Sequence, residues 1–143
     1  MSDSMLPEQN IFEARSGFPL EKRHALILLV WAVQICCVVI GSLLSPESSV
    51  IGALSSLHIS FKVLHFCAYT SLALTALISV RRRPAAVLAA LAMILLGVAL
   101  EFGQKLVPGR SFEVGDMFIN GAGVLTGIAI GILSRVVSAA RAD

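Results

Sequence analysis

Four runs of apolar residues, at 25–44, 63–80, 84–106 and 117–134, constrain the fold before any finer feature is considered. Wound as an α-helix at about 1.5 Å per residue, each run covers or nearly covers the ~30 Å hydrocarbon layer of a bilayer. Inside that layer the backbone has no water to bond, so a spanning run closes its own hydrogen bonds as a helix. The 143 residues are 57% hydrophobic and 14% charged, and the mean hydropathy is +0.87. All three values lie outside the range of soluble globular domains. We therefore expect an all-α, polytopic membrane protein with four transmembrane helices in one bundle. Residues 25–134 make the membrane domain, 1–24 an N-terminal tail and 135–143 a C-terminal tail. The first run follows about two dozen mostly polar residues and no small-x-small cleavage pattern follows it, so it reads as a retained helix and not as a signal sequence.

Orientation follows from lysine and arginine near the ends of the runs. Arg15, Lys22 and Arg23 precede the first run, Arg81, Arg82 and Arg83 join the second to the third, and Arg135 and Arg141 follow the fourth. The two remaining connections carry only Lys62, Lys105 and Arg110. This asymmetry predicts that both termini are cytoplasmic. A net charge of +2 spread in this way offers no basic surface for nucleic acid, so no nucleic-acid partner is expected.

Between the first two runs, Ser45-Pro46-Glu47 has the order of an N-cap, a proline at the first helical position and an early acid. Val50, Ile51, Leu54, Leu57 and Phe61 then recur at helical spacing. The segment is either a short helix lying in the interface or an ordered loop packed on the bundle. Cys36, Cys37 and Cys67 lack the spacing of a metal site or redox motif, and read as free, buried, small apolar residues. No metal site and no cofactor is expected.

The polar residues within the runs converge. Lys62, His65 and Tyr69, spaced by three and four, form one stripe descending the second helix from the outer surface. Glu101 lies about 10 Å before the exit of the third helix at Pro108, with Gln104 and Lys105 one turn above it. Asp116 starts the fourth helix and Asn120 follows one turn further in. Together they make one polar layer in the outer leaflet. A charge in lipid costs about 2.5 to 3.5 kcal/mol on insertion scales, so the acids need partners. Gly109 lets the connection turn so that Arg110 aims back at Glu101 or Asp116 as a bidentate pair. The bland role of such residues is to hold helices in register, and for Asp116 to stabilise a helix N-terminus. Gly123, Gly127 and Gly131, every fourth residue, form a small-residue seam. Packing within the bundle is the preferred use of that seam, and homo-oligomerisation through it is the alternative.

Lys62-x-x-His65-Phe66-x-x-Tyr69, then Glu101-x-x-Gln104, Pro108-Gly109-Arg110, Asp116, Asn120 and Gly123 form an ordered set that resembles the VanZ-like family. The resemblance covers residues 25–134. One departure is Phe61, where the family often has an acid before the lysine. The resemblance implies a four-helix protein of the bacterial cytoplasmic (inner) membrane, in a family whose namesake is linked to low-level resistance to the glycopeptide teicoplanin.

Three functions compete on these residues. The first is a non-catalytic envelope protein with a pocket for an anionic lipid head group or a cell-wall or lipid-linked precursor. In it Lys62, Arg110 and Lys105 would meet the anion, while Tyr69, Gln104 and Asn120 orient it and Glu101 and Asp116 hold the cations, with His65 in the same binding set. The second is a membrane hydrolase or transferase acting on a lipid-linked phosphate or ester, with His65 or Glu101 as general acid or base. No nucleophile elbow or HExxH motif supports it. The third is a proton-coupled carrier, which the almost wholly apolar inner half, with Gln34 alone on the first helix, argues against.

Overall fold

In a computed structural model the described residues, 20–140, are all-helical. Five helices follow in order: α1 Leu20–Leu43, α2 Ser49–Ser56, α3 Phe61–Ser79, α4 Arg83–Gln104 and α5 Val114–Ala140. Four of them, α1, α3, α4 and α5, are long and apolar enough to cross a membrane. The expected tails fall largely outside the described residues. Within them, α1 already starts at Leu20, ahead of the apolar run, and α5 carries on past Arg135.

α3 is the hub. It packs along α5 most extensively and also against α4 and α1. Its Tyr69, Leu72, Ala73 and Ala76 are buried together with Ala90 and Met93 of α4 and Val124 of α5. Small residues on the facing helices set how close the axes come. A Cβ on Gly123 would stand 2.6 Å from the carbonyl oxygen of Phe66, and one on Gly127 2.4 Å from that of Thr70. The glycine face of α5 thus packs against α3 of the same chain. α1 is the peripheral member, tied to the hub by Trp31, whose indole N–H donates to the Leu72 carbonyl at 3.1 Å. Large apolar side chains such as Leu26, Leu88, Leu95, Phe118 and Leu133 face outward, as a lipid-facing perimeter requires.

Three local expectations are corrected. The 45–60 connection does contain a helix, but its N-cap is Ser48, whose side chain accepts from the Ile51 N–H, and not Ser45. Ser45 makes a turn instead: its hydroxyl accepts from the Glu47 N–H and its carbonyl from the Ser48 N–H, so Pro46 sits in that turn and not in the helix. The residue that ends α2 cleanly is His58, in the left-handed region at φ 55°. Finally, Cys36, Cys37 and Cys67 are free but exposed, not buried: none of them belongs to the packed core around α3, and Cys37 lines the open space between α1 and α3.

Candidate functional site

The turn that follows α4 decides where the arginine goes. The Val107 carbonyl accepts from the Arg110 N–H at 3.1 Å, with Pro108 and Gly109 between them. Gly109 has φ +78°, the conformation that the third position of a type II turn demands and that a side chain would strain. Thrown back by this turn, Arg110 reaches neither Glu101 nor Asp116. Its Nε donates to the Leu44 carbonyl and its Nη2 to the Gly41 carbonyl, each at 3.1 Å. The Gly41 oxygen belongs to the last turn of α1 and the Leu44 oxygen lies one residue beyond it, where the helix end lacks intrahelical donors and carries the negative end of the dipole. The expected Arg110–carboxylate pair is therefore replaced by a helix-end cap. Among the described residues the ion pair is a different one, Lys62 with Glu113 at 3.8 Å.

A cavity of about 290 Å³ opens beside the guanidinium, between the last turns of α1, the apolar face of α2 and the first half of α3. Arg110, His65, Tyr69 and Ser42 are its polar lining, and Val38, Ile51, Leu54 and Leu64 are among its apolar walls. The walls form because Val50, Ile51 and Leu54 lie on one side of α2, which roofs the space, and because Gly41 leaves α1 without a side chain there.

Behind Tyr69, on the α4 and α5 side, lies a separate polar core. Glu101, Gln104 and Asn120 are all buried. Glu101 Oε1 accepts the main-chain N–H of Glu113 at 2.7 Å, just ahead of the first residue of α5. Asn120 Oδ1 lies 3.1 Å from His65 Nδ1, a geometry in which Nδ1 donates and Nε2 of the neutral ring keeps its lone pair. One carboxylate oxygen of Asp116, Oδ1, is buried with no hydrogen-bond partner among the described residues. A Cβ at Gly97 would come within 3.2 Å of both the Tyr69 ring and Asn120 Nδ2, so that glycine is what allows the ring and the amide to sit together.

The single layer expected from the sequence is thus two sites sharing a wall. His65, Tyr69 and Arg110 face the cavity; Glu101, Gln104, Asn120 and Asp116 lie in or beside the core. Lys62 and Lys105 join neither. Lys62 is exposed beside Glu113, and Lys105 Nζ stands over the rings of Phe112 at 4.1 Å and Phe102 at 5.2 Å. Sequence reasoning missed the α1 carbonyls, because main-chain acceptors leave no trace in residue type. It also passed over Glu113 and Gly97. Of these, Gly97 was legible as the glycine one turn before Glu101.

A model of the VanZ/LLP1 family matches residues 10–135, nearly the whole chain. No curated protein and no solved structure matches it.

Proposed function

The chain belongs to the VanZ/LLP1 family, and we propose that it is an envelope protein that holds an anionic lipid head group, or the head of a lipid-linked cell-wall precursor, in the Arg110 cavity without reacting with it. The observation that carries this reading is the state of Arg110. Its charge lines a mostly apolar cavity, anchored by two carbonyls, and no carboxylate of the described residues is within ion-pair distance. A cation in such surroundings gains from an anion far more than an exposed one does. The two bonds to α1 use two of its three nitrogens and fix the plane of the third. His65 and Tyr69, on the same wall, supply further hydrogen-bonding groups, and the apolar sides accept the upper part of a lipid chain. On the positive-inside reading this cavity lies in the outer leaflet of the bacterial cytoplasmic membrane, where envelope precursors are displayed. Holding such a precursor there is a route by which a member of this family could alter susceptibility to a glycopeptide such as teicoplanin.

A specific observation favours a second reading, a hydrolase or transferase acting on a lipid-linked phosphate or ester. His65 is held by Asn120 with Nε2 free to take a proton at the cavity wall. Binding of undecaprenyl phosphate, phosphatidylglycerol and phosphatidylcholine to the detergent-solubilised protein separates the two. We expect the anionic lipids to bind and Arg110→Ala to weaken them at least ~10-fold, as loss of a charge-assisted contact implies. Binding unchanged in Arg110→Ala overturns the proposal. Turnover of the bound lipid that His65→Ala abolishes, with binding intact, establishes the enzyme instead. Reporter fusions that put residues 104–115 in the cytoplasm would move the cavity to the inner leaflet and exclude outer-face precursors.

A further inference from the structure

The far end of the bundle from Arg110 holds a second cavity, of about 310 Å³, bounded by the end of α3, the start of α4 and the last third of α5. Leu77, Val87, Ile132 and Val136 give it apolar walls, and Arg83 and Arg135 enter it from different helices. Arg135 is fixed there, because its Nη2 donates to the carbonyl of Leu77 near the end of α3. Arg83 lies in the first turn of α4, which contains no acid and follows directly on Arg81 and Arg82.

The charge balance of this cavity is unfavourable as it stands. Two guanidinium groups share a space with apolar walls, and no carboxylate of the described residues pairs with either. The positive end of the α4 dipole adds charge of the same sign. Arginines that serve only to orient a membrane protein need no cavity and work as well when splayed into water. Here Arg83, itself exposed, and Arg135 line one cavity with apolar walls, where a single bound anion would meet both charges. A small hydrated anion satisfies the arginines but leaves Leu77, Val87, Ile132 and Val136 facing water. An anionic phospholipid satisfies both, with its phosphate between the guanidinium groups and its glycerol and upper chain on the apolar walls.

We propose that this cavity is a binding site for an anionic phospholipid, with Arg83 and Arg135 clamping its phosphate. It is separate from the Arg110 cavity and does not depend on what that cavity holds. On the positive-inside reading its ligand comes from the cytoplasmic leaflet, so the two ends of the bundle take head groups from opposite sides of the membrane.

The test is native mass spectrometry of the full chain released from detergent with phosphatidylglycerol, cardiolipin or phosphatidylcholine added. The residue to change is Arg83, since Arg135 also caps α3. In an Arg110→Ala background, which removes the anion site at the other end of the bundle, Arg83→Gln should lower phosphatidylglycerol and cardiolipin occupancy about tenfold while phosphatidylcholine stays unchanged, and Arg83→Lys should restore part of it. Val87→Trp keeps both charges but fills the cavity, and should lower occupancy as strongly. Equal lipid retention in Arg83→Gln and its Arg110→Ala parent overturns the site. Loss in Arg83→Gln without loss in a folded Val87→Trp also overturns it, because binding would then be by surface charge alone. Glycerol 3-phosphate that displaces the lipid at equal concentration overturns the lipid assignment in favour of a soluble phosphate.

Discussion

Glu101 Oε1 and the main-chain N–H of Glu113 lie 2.7 Å apart, so a buried carboxylate near the end of α4 closes the N-terminal end of α5. The arrangement joins two consecutive spanning helices through a side chain at one end and a backbone donor at the other. The charge is placed where the α5 dipole favours it, and the N–H would otherwise be an orphan of the helix start. Glu101→Ala should therefore destabilise the fold by about 1–3 kcal/mol, the cost of leaving a shielded donor unpaired. Glu101→Gln keeps an acceptor oxygen of the same reach and should cost less than about half of that. Unfolding in mixed detergent, followed by Trp31 fluorescence, measures both. Equal losses would show that the negative charge, and not the bond to Glu113, is what the fold requires.

The face of α5 toward α3 gives a second prediction. Gly127 meets the Thr70 carbonyl, the Ala73 methyl and the Leu74 nitrogen, and a Cβ there would lie 2.4, 2.9 and 3.1 Å from them. Two of these atoms are backbone, which cannot swing away as a side-chain tip can. Gly127→Ala must push the helices apart and should cost at least about 1–3 kcal/mol, in the range of an overpacked core. Gly121→Ala, on the same helix with nothing within 4 Å, should be neutral or slightly stabilising. Retained stability in Gly127→Ala, measured in the same unfolding assay, would mean that the α3–α5 distance is not set by this seam.

How much of this was legible depended on whether side chains or main chain made the contact. Apolar run length gave the four long helices, since the bilayer admits few other solutions for such a chain. Spacing by three and four put His65 and Tyr69 on one side of α3, and both do line the cavity. The sequence offers Arg110 as the partner of Glu101 or Asp116, yet it binds the carbonyls of Gly41 and Leu44, which residue identity does not mark. Periodicity could place Glu101 in depth but not in azimuth. It therefore merged the cavity lining with the polar core behind Tyr69 into one layer. The cavity itself depends on where α2 lies, and α2 was readable only as an apolar periodicity, with its start displaced from Ser48 to Ser45 by the Ser-Pro-Glu pattern.

The wall between cavity and core is testable through Gly97, a residue outside the cavity lining. A Cβ there would stand 3.2 Å from Tyr69 Cε1 and Cζ and from Asn120 Nδ2, closer than ordinary packing. Tyr69 is only 1% exposed, so its ring has little room to retreat, and Asn120 is held by His65 at 3.1 Å. Gly97→Ala should thus destabilise the fold by about 1–3 kcal/mol and loosen the His65–Asn120 bond. The bond can be followed in ¹⁵N spectra of the His65 ring, where Nδ1 should move toward the shift of an unbonded imidazole. Anionic-lipid affinity at the Arg110 cavity should fall as well, because His65 and Tyr69 would lose their fixed positions. Gly115→Ala, with nothing within 4 Å, controls for a general effect of adding a methyl group to a helix. An unchanged His65 spectrum in a Gly97→Ala protein of undiminished stability would show that the ring and the amide adjust freely. The polar core could not then be what positions the cavity wall.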